Sequence, residues 1–202
     1  MPGESQPRLL CRKREPDVRW SDDNAPEYFR ENVSGTAPRQ ATWFKTAWDE
    51  ERLHVLFHAA DTAPWATLTA HDAPLYTEEV VEIFLDPVGD LECYFEIEVN
   101  PLNATLDVVL RRSRSGYLKD FRWHCEGLRT AVALCDGFWE AEISIPFESL
   151  EPGCGGVGKV WRANFHRIDR PKDGRVELSA WSPTRCRTFH APGRFGILEF
   201  AL

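Results

Sequence analysis

Three polar side chains alternate with apolar ones in residues 161–167, Trp-Arg-Ala-Asn-Phe-His-Arg. In an extended strand, this spacing of two places Arg162, Asn164 and His166 on one face of a sheet. Trp181 follows soon after and adds an aromatic ring. Planar hydrogen-bonding groups beside an aromatic plate suit a ligand with hydroxyls at its edge and C–H bonds on its faces. A sugar ring is such a ligand.

Strand-like alternation recurs along most of the chain, whereas stretches with the helical period are nearly absent. Turn residues separate the runs, and Asp136-Gly137 marks a tight hairpin. The predicted strands are residues 42–48, 52–61, 80–86, 92–100, 104–112, 128–135, 138–145, 159–168, 176–181 and 195–200. About ten strands of this kind predict an all-β fold, an antiparallel β-sandwich of the immunoglobulin-like or jelly-roll type.

The length of 202 residues indicates one domain. We expect residues 1–16 to be a flexible tail and residues 17–202 to form a single sandwich. A formal charge of -8 argues against a nucleic-acid partner. No apolar run approaches the roughly 20 residues that span a bilayer, and no signal-peptide core is present. As written, the chain is expected in the cytoplasm; with a truncated start it would be extracellular or periplasmic.

Several predicted strands carry carboxylates on the face opposite their apolar residues. Glu82, Glu96, Glu98 and Asp107 belong to this set. A solvated outer sheet would explain the pattern, because antiparallel sheets often have one. Large apolar residues such as Tyr94 are mixed in, however, and these suggest a partly covered concave surface. The sequence leaves both interpretations open.

Seven segments in the same order are similar to the family 9-like carbohydrate-binding modules, which share the DOMON-type β-sandwich. The resemblance covers about residues 40–202. The segments are residues 47–57, 76–87, 94–100, 139–146, 161–167, 181–183 and 190–196. The order of the segments is specific for the family, but it is much less specific for a ligand. The resemblance implies non-catalytic binding of carbohydrate, either the end of a glycan chain or a small sugar.

The resemblance also implies roles for individual residues. Two aromatic plates would hold the sugar, and Tyr76 and Trp181 match them. Glu82 matches the acidic position of the strand after Tyr76, and Arg162 and Asn164 lie in the strand that contributes polar contacts. This chain has Tyr where the modules have Trp at position 76. The modules also bind structural calcium, whose ligands the sequence does not identify here.

Each of these residues also fits a structural role. Trp181 would serve as a plug over the core, and Tyr76 would cap one end of the sandwich. Glu82 would pair with Arg162. Trp65, in a loop with the sequence Thr-Ala-Pro-Trp-Ala, is a further candidate for ligand contact.

Two other functions compete with carbohydrate binding. A glycosidase would need a carboxylate pair across the scissile bond, drawn from Glu82, Glu96, Glu98 and Asp107. A haem site would use methionine and histidine, but the only methionine is Met1, so we expect no haem. Ligation by two of the six histidines stays open. The six cysteines form no C-x-x-C pair, which argues against a thiolate zinc site.

Overall fold

The computed structural model describes residues 5–14, 20, 25–154, 160–172 and 174–201, except the side chains of 151–154. Within these ranges the fold is almost entirely β. The strands are β1 (Arg8–Lys13), β2 (Glu27–Tyr28), β3 (Arg30–Glu31), β4 (Thr42–Trp48), β5 (Arg52–Ala60), β6 (Val80–Asp86), β7 (Cys93–Val99), β8 (Thr105–Ser113), β9 (Gly116–Asp120), β10 (Arg129–Cys135), β11 (Phe138–Pro146), β12 (Val160–Asp169), β13 (Glu177–Ala180) and β14 (Gly196–Ala201). One helix, α1 (Phe147–Cys154), and two single 3₁₀ turns complete the set. None of these helices is long and apolar enough to cross a membrane.

The hairpins form where the sequence predicts them. β4 and β5 pair in antiparallel fashion from Thr42 opposite Ala59 to Trp48 opposite Leu53. β10 and β11 meet at Cys135 opposite Phe138. The turn between them uses Gly137 with a φ of 82°, a left-handed conformation that favours glycine.

The strands join into one mixed sheet that curls so that its two halves face each other. Along its main path the order is β10-β11-β5-β4-β1-β14-β12-β6-β7-β8-β9. Side chains from both halves meet in one apolar core, as in a β-sandwich. Phe44 of β4 stacks on Phe165 of β12 with their ring centroids 4.0 Å apart. Each side chain of this size, when fully buried, contributes about 1.5–3 kcal/mol.

Two features correct the sequence-based expectation. Residues 8–13, expected in a flexible tail, form β1, which lies between β14 and β4 and pairs with both in parallel. The sheet is therefore mixed rather than wholly antiparallel, and it has fourteen strands in the described part of the chain, not about ten. Residues 1–4, 15 and 16 of the expected tail lie outside the described residues.

A second apolar cluster lies on the other face of β6, β7 and β8, away from the main core. Its members include Phe84, Tyr94, Leu106 and Phe189. Loops pack over this face, so every residue of β6 and β7 is buried. This arrangement confirms the covered surface that the mixed polar and apolar strand faces suggested. The carboxylates of that face therefore lie beneath loops rather than on an open outer sheet.

Candidate functional site

A pocket of about 570 Å³ opens on the covered face of the sheet, and we call it the concave-face pocket. Strands contribute its floor and loops contribute its rim. It is lined by Tyr76, Glu82, Glu96, Lys119, Phe121, Ile168, Arg170, Leu178, Arg187, Thr188, Phe189 and His190. The volume lies in the range of small-molecule binding pockets.

Glu82 and Glu96 lie on the floor of this pocket, and the fully buried Glu98 adjoins them without lining it. Glu82 of β6 lies directly opposite Glu98 of β7, and Glu96 lies two residues along the same strand. Residues opposite each other in antiparallel strands share a face of the sheet, so these side chains converge. Lys119 of β9 reaches over from the sheet edge and donates to both carboxyl oxygens of Glu96, at 3.2 and 3.0 Å.

One lysine does not neutralise three neighbouring carboxylates. Glu82 and Glu98 are 2% and 0% exposed. Burial, and next the charge of Glu96, raises the pKa of Glu82 well above its ordinary value. Burial, followed by the charges of Glu82 and Glu96, does the same to the pKa of Glu98. A protonated carboxyl both donates and accepts, which suits a hydroxyl-bearing ligand.

A buried histidine supports the wall of the pocket. His166, opposite Glu82 on β12, stacks on Phe189 with ring centroids 4.1 Å apart. Burial, and next His190, lowers its pKa well below the ordinary value, so the ring is neutral. Neither of its ring nitrogens has a hydrogen-bond partner. His166 therefore holds Phe189 by ring contact rather than by charge.

Two exposed aromatic rings line the pocket. Tyr76 is 42% exposed and Phe121 is 44% exposed. Tyr76 lies on the 3₁₀ turn Leu75–Thr77, whose leucine is fully buried and fixes the turn in the second apolar cluster. The ammonium of Lys119 lies 5.6 Å from the centroid of the Tyr76 ring, within the range of a cation–π contact.

Trp181 was predicted as the second aromatic plate of the sugar site. In the structure it lies in the main core and does not line the concave-face pocket. It is 4% exposed, and its ring makes an edge contact with Phe44. Its Nε1 donates to Glu27 at 3.1 Å. A Cβ on Gly196 would fall 2.3 Å from the ring, so this glycine allows the close approach. These contacts fit the structural alternative, a plug in the core, although Trp181 also lines a separate cavity of about 340 Å³ with Ser182 and Pro183.

Arg162 and Asn164 also lie away from the concave-face pocket. Both of them make hydrogen bonds within the protein. Arg162 donates to Gln6 Oε1 at 2.8 Å. Asn164 is fully buried, donates to the carbonyl of Ser182 at 2.8 Å and accepts from the amide of the same residue at 2.9 Å. The side-chain amide of Asn164 therefore links the loop after β13 to β12, which is a structural role. Glu82 does not pair with Arg162, which lies opposite Asp86.

Trp65 lines a different cavity, of about 550 Å³, together with Arg39, Asp61 and others. Its Nε1 donates to the carbonyl of Arg170 at 2.5 Å, and Lys172 lies 5.8 Å from its ring centroid. The two cavities share no lining residue. Of the six residues predicted for the site, the structure therefore brings together Tyr76 and Glu82 only.

The calcium that the resemblance implied does not fit the acidic cluster beside Trp65. Asp61, Glu79 and Asp169 bring oxygen atoms within 4.8 Å of one another, a donor set that calcium prefers. Arg167, however, donates to Asp61 at 2.7 Å and lies 3.7 Å from Asp169, so a guanidinium already holds the cation position. Burial, and next Asp61, raises the pKa of Glu79 to about 8. Calcium binding stays a prediction.

Asp107 does not belong to the pocket either. Strand alternation in the sequence groups Asp107 with Glu82, Glu96 and Glu98, but Asp107 pairs with Ile97 and so lies on the opposite face of the sheet. That face carries the main core. A glycosidase pair that includes Asp107 and a residue of the pocket floor is therefore excluded by geometry.

Sequence reasoning missed several residues of the site. Lys119 lies on β9, whose five residues show too little apolar alternation to signal a strand. Phe121 and His190 lie in loops, where periodicity gives no information. The one signal that the sequence offers for Phe121 is an aromatic residue directly after the charged pair Lys119-Asp120.

Comparisons with known proteins agree with this architecture. The sequence profile of the family described as "Carbohydrate family 9 binding domain-like" matches residues 15–201. No curated protein matches the chain. A Bacteroides uniformis protein proposed to bind carbohydrate is similar in structure, with a TM-score of 0.79, 16% identity, and coverage of 98% of this chain and 100% of that one.

Two structures of a family 9 carbohydrate-binding module from Caldicellulosiruptor kristjanssonii are also similar. The complex with cellotriose gives a TM-score of 0.70 at 17% identity, and covers 96% of this chain and 93% of that one. The complex with glucose gives 0.66 at 18% identity, and covers 96% of each chain. At these identities the likeness shows a shared fold. The family match covers almost the whole chain, and we conclude that this protein belongs to the carbohydrate family 9 binding domain-like family.

Proposed function

We propose that this chain binds carbohydrate without catalysis, and that the concave-face pocket is its binding site. The observation that supports this most directly is the combination of two exposed aromatic rings, Tyr76 and Phe121, with a floor of carboxylates and a lysine in one pocket. An aromatic face packs against the C–H surface of a sugar ring, and polar groups at its edge bind the hydroxyls.

The polar groups offer donors and acceptors at short range from one another. Glu96, held by Lys119, is an acceptor, whereas Glu82 in its protonated form also donates. Arg170 and Arg187 add guanidinium groups at the rim. Vicinal hydroxyls of a sugar are recognised by paired groups of this kind, so a pyranose with free hydroxyls is the ligand class that fits best.

A glycosidase is the second candidate, and one observation favours it. The raised pKa of Glu82 beside the lysine-bound Glu96 gives two carboxylates different environments, as an acid–base pair requires. Against it, Glu82 and Glu96 lie on the same face of neighbouring strands and so on one side of any bound sugar. A glycosidase needs its two carboxyl groups on either side of the scissile bond.

A glycan survey followed by calorimetry tests the proposal. We expect saturable binding of at least one free sugar or oligosaccharide, with glucose and cellotriose as the first ligands because the similar structures contain them. A blank survey at millimolar ligand would contradict the proposed function. Incubation with nitrophenyl glycosides and cellooligosaccharides separates the alternatives, because turnover that disappears in Glu82→Gln would establish the glycosidase.

A further inference from the structure

Four potential metal ligands converge at the edge of the sheet, outside the concave-face pocket. They are His71, Asp72, Asp107 and His124, and we call them the His-Asp cluster. One ligand atom from each lies within 4.8 Å of the other three. They come from three separate places in the chain: the loop before the Leu75–Thr77 turn, strand β8, and the loop after β9. Only the tertiary fold brings them together.

Four of the separations between these groups are close to the edges of a coordination tetrahedron, and a fifth, from His124 Nδ1 to Asp72 Oδ2, is 3.9 Å. Nε2 of His71 lies 3.4 Å from Nδ1 of His124, 3.5 Å from Asp72 Oδ1 and 3.6 Å from Asp107 Oδ1. Nδ1 of His124 lies 3.5 Å from the same Asp107 oxygen. Metal–ligand bonds of 2.0–2.1 Å in tetrahedral geometry place neighbouring ligand atoms about 3.3 Å apart. A single ion at the centre would therefore reach all four groups with small adjustments.

A buried and unpartnered oxygen points into this cluster. The Asp107 side chain is 3% exposed. Its Oδ2 accepts from the amide of Cys125 at 2.8 Å, whereas its Oδ1 has no hydrogen-bond partner. Leaving a buried carboxylate oxygen unpaired is costly, and a bound cation removes that cost. This oxygen is the atom that faces both imidazoles, at 3.6 and 3.5 Å.

The surroundings orient the ligands as a metal site requires. Nδ1 of His71 lies 3.1 Å from Thr105 Oγ1, which leaves Nε2 free to face the cluster. Such a second contact is what fixes the tautomer of a metal-binding histidine. Oδ1 of Asp72 lies 3.3 Å from the amide of Asp107, so this carboxylate is held against β8. Asp72 itself has a φ of 59°, a left-handed conformation that is unfavourable for most residues and that turns the loop towards β8.

We propose that the His-Asp cluster binds one divalent transition-metal ion, with zinc as the best-fitting ion. Two imidazole nitrogens and two carboxylate oxygens in a compact tetrahedral arrangement suit zinc, whereas calcium takes six to eight oxygen ligands. The ion would fasten the loop that carries His71 and the loop that carries His124 to β8. This role is structural and does not depend on the proposed carbohydrate binding.

Metal content and binding measurements on the untagged full chain test the proposal. We expect the purified protein to take up one equivalent of Zn²⁺ after treatment with a chelator and removal of the chelator. We also expect its melting temperature to rise with added Zn²⁺. Co²⁺ should give the visible absorption of a tetrahedral site. The absence of a saturable site for Zn²⁺ would overturn the proposal.

Matched variants locate the site. His124→Gln changes a side chain that is 54% exposed, so the fold should persist, and we expect zinc affinity to fall at least about tenfold. His58→Gln is the control, because His58 contacts Glu140 at 3.0 Å and the rings of Trp43 and Phe138, all outside the His-Asp cluster. Equal zinc affinity in the wild type and in His124→Gln would contradict the assignment, as would equal losses in both variants.

Discussion

The ammonium of Lys119 connects the floor of the concave-face pocket to its rim. It donates to both carboxyl oxygens of Glu96 and lies 5.6 Å from the centroid of the Tyr76 ring. Glu96 belongs to the polar floor, and Tyr76 to the aromatic rim. The Lys119 side chain from β9 therefore links the carboxylate of Glu96 to the position of the Tyr76 ring.

Replacement of this lysine should destabilise the protein. Lys119→Met keeps the apolar stem but leaves Glu96, whose side chain is 3% exposed, without its partner. We expect the free energy of unfolding to fall by about 1–3 kcal/mol, less than for a fully buried pair because Lys119 is 30% exposed. Arg112→Met is the control. It removes an exposed pair with Glu92, and denaturant titration should show a change within about 0.5 kcal/mol.

The two exposed rings of the pocket should carry carbohydrate affinity. Tyr76→Ala and Phe121→Ala should each weaken binding by about 2 kcal/mol, roughly thirtyfold, because each loses a large apolar contact with the ligand. Tyr28→Ala removes a tyrosine that is 61% exposed and does not line the pocket. Calorimetry with the best ligand from the survey should show no loss in this control. Equal losses in Tyr28→Ala and Tyr76→Ala would place the ligand elsewhere.

The stability of the protein should fall as the pH rises, in part because of Glu98. The pKa of Glu98 is raised in the folded state by burial and by Glu82 and Glu96, with Lys119 acting in the opposite direction. The folded state therefore holds the proton more tightly than the unfolded state. The free energy of unfolding is highest below the unfolded pKa of about 4.3 and falls as the pH rises towards the folded pKa.

Glu98→Gln tests this dependence, because glutamine has no charge to bury. We expect the variant to be more stable than the wild type at pH 8 and to lose less stability between pH 5 and pH 8. Glu126→Gln, at an exposed position, provides the control and should follow the wild type. Parallel pH profiles for Glu98→Gln and the wild type would show that Glu98 is not protonated in the folded state.

Trp181 should behave as a core residue. Trp181→Ala and Trp139→Ala remove rings that are 4% and 0% exposed, and each should cost about 3–5 kcal/mol of unfolding free energy. Trp65→Ala should cost less, because that ring is half-buried. Chemical denaturation measures all three. If Trp181→Ala lost sugar binding but kept the stability of the wild type, Trp181 would belong to the binding site and not to the core.

The proposed metal should also influence the concave-face pocket, if both proposals hold. His71 and Asp72 precede Tyr76 by five and four residues, and His124 follows Phe121 by three. An ion that holds these loops should keep the rings of Tyr76 and Phe121 in the positions that contact the sugar. We expect zinc saturation to tighten sugar binding about fivefold or more. Unchanged sugar affinity with bound zinc would separate the two sites without contradicting either one.

The sequence alone determined the local elements and the family. Alternation located β6 to the residue and gave the hairpins around residues 49–51 and Asp136-Gly137, because side-chain period and turn chemistry are local properties. The ordered motifs identified the family that the profile match confirms. The two faces of β7, the strand that contains Glu96 and Glu98, were predicted correctly for the same reason.

Tertiary structure alone decided which residues meet. Alternation divides a strand into two faces but does not say what covers each face, so Asp107 was placed beside Glu82 although it faces the core. The family resemblance implied that Trp181 is a ligand plate, but its ring is buried against Phe165 and against Phe44, which is far away in the chain. The polar residues of β1 gave no strand signal, since its pairing with β14 and β4 is long-range. The His-Asp cluster is hidden in sequence for that same physical reason: its ligands become neighbours only when the sheet curls and its loops pack.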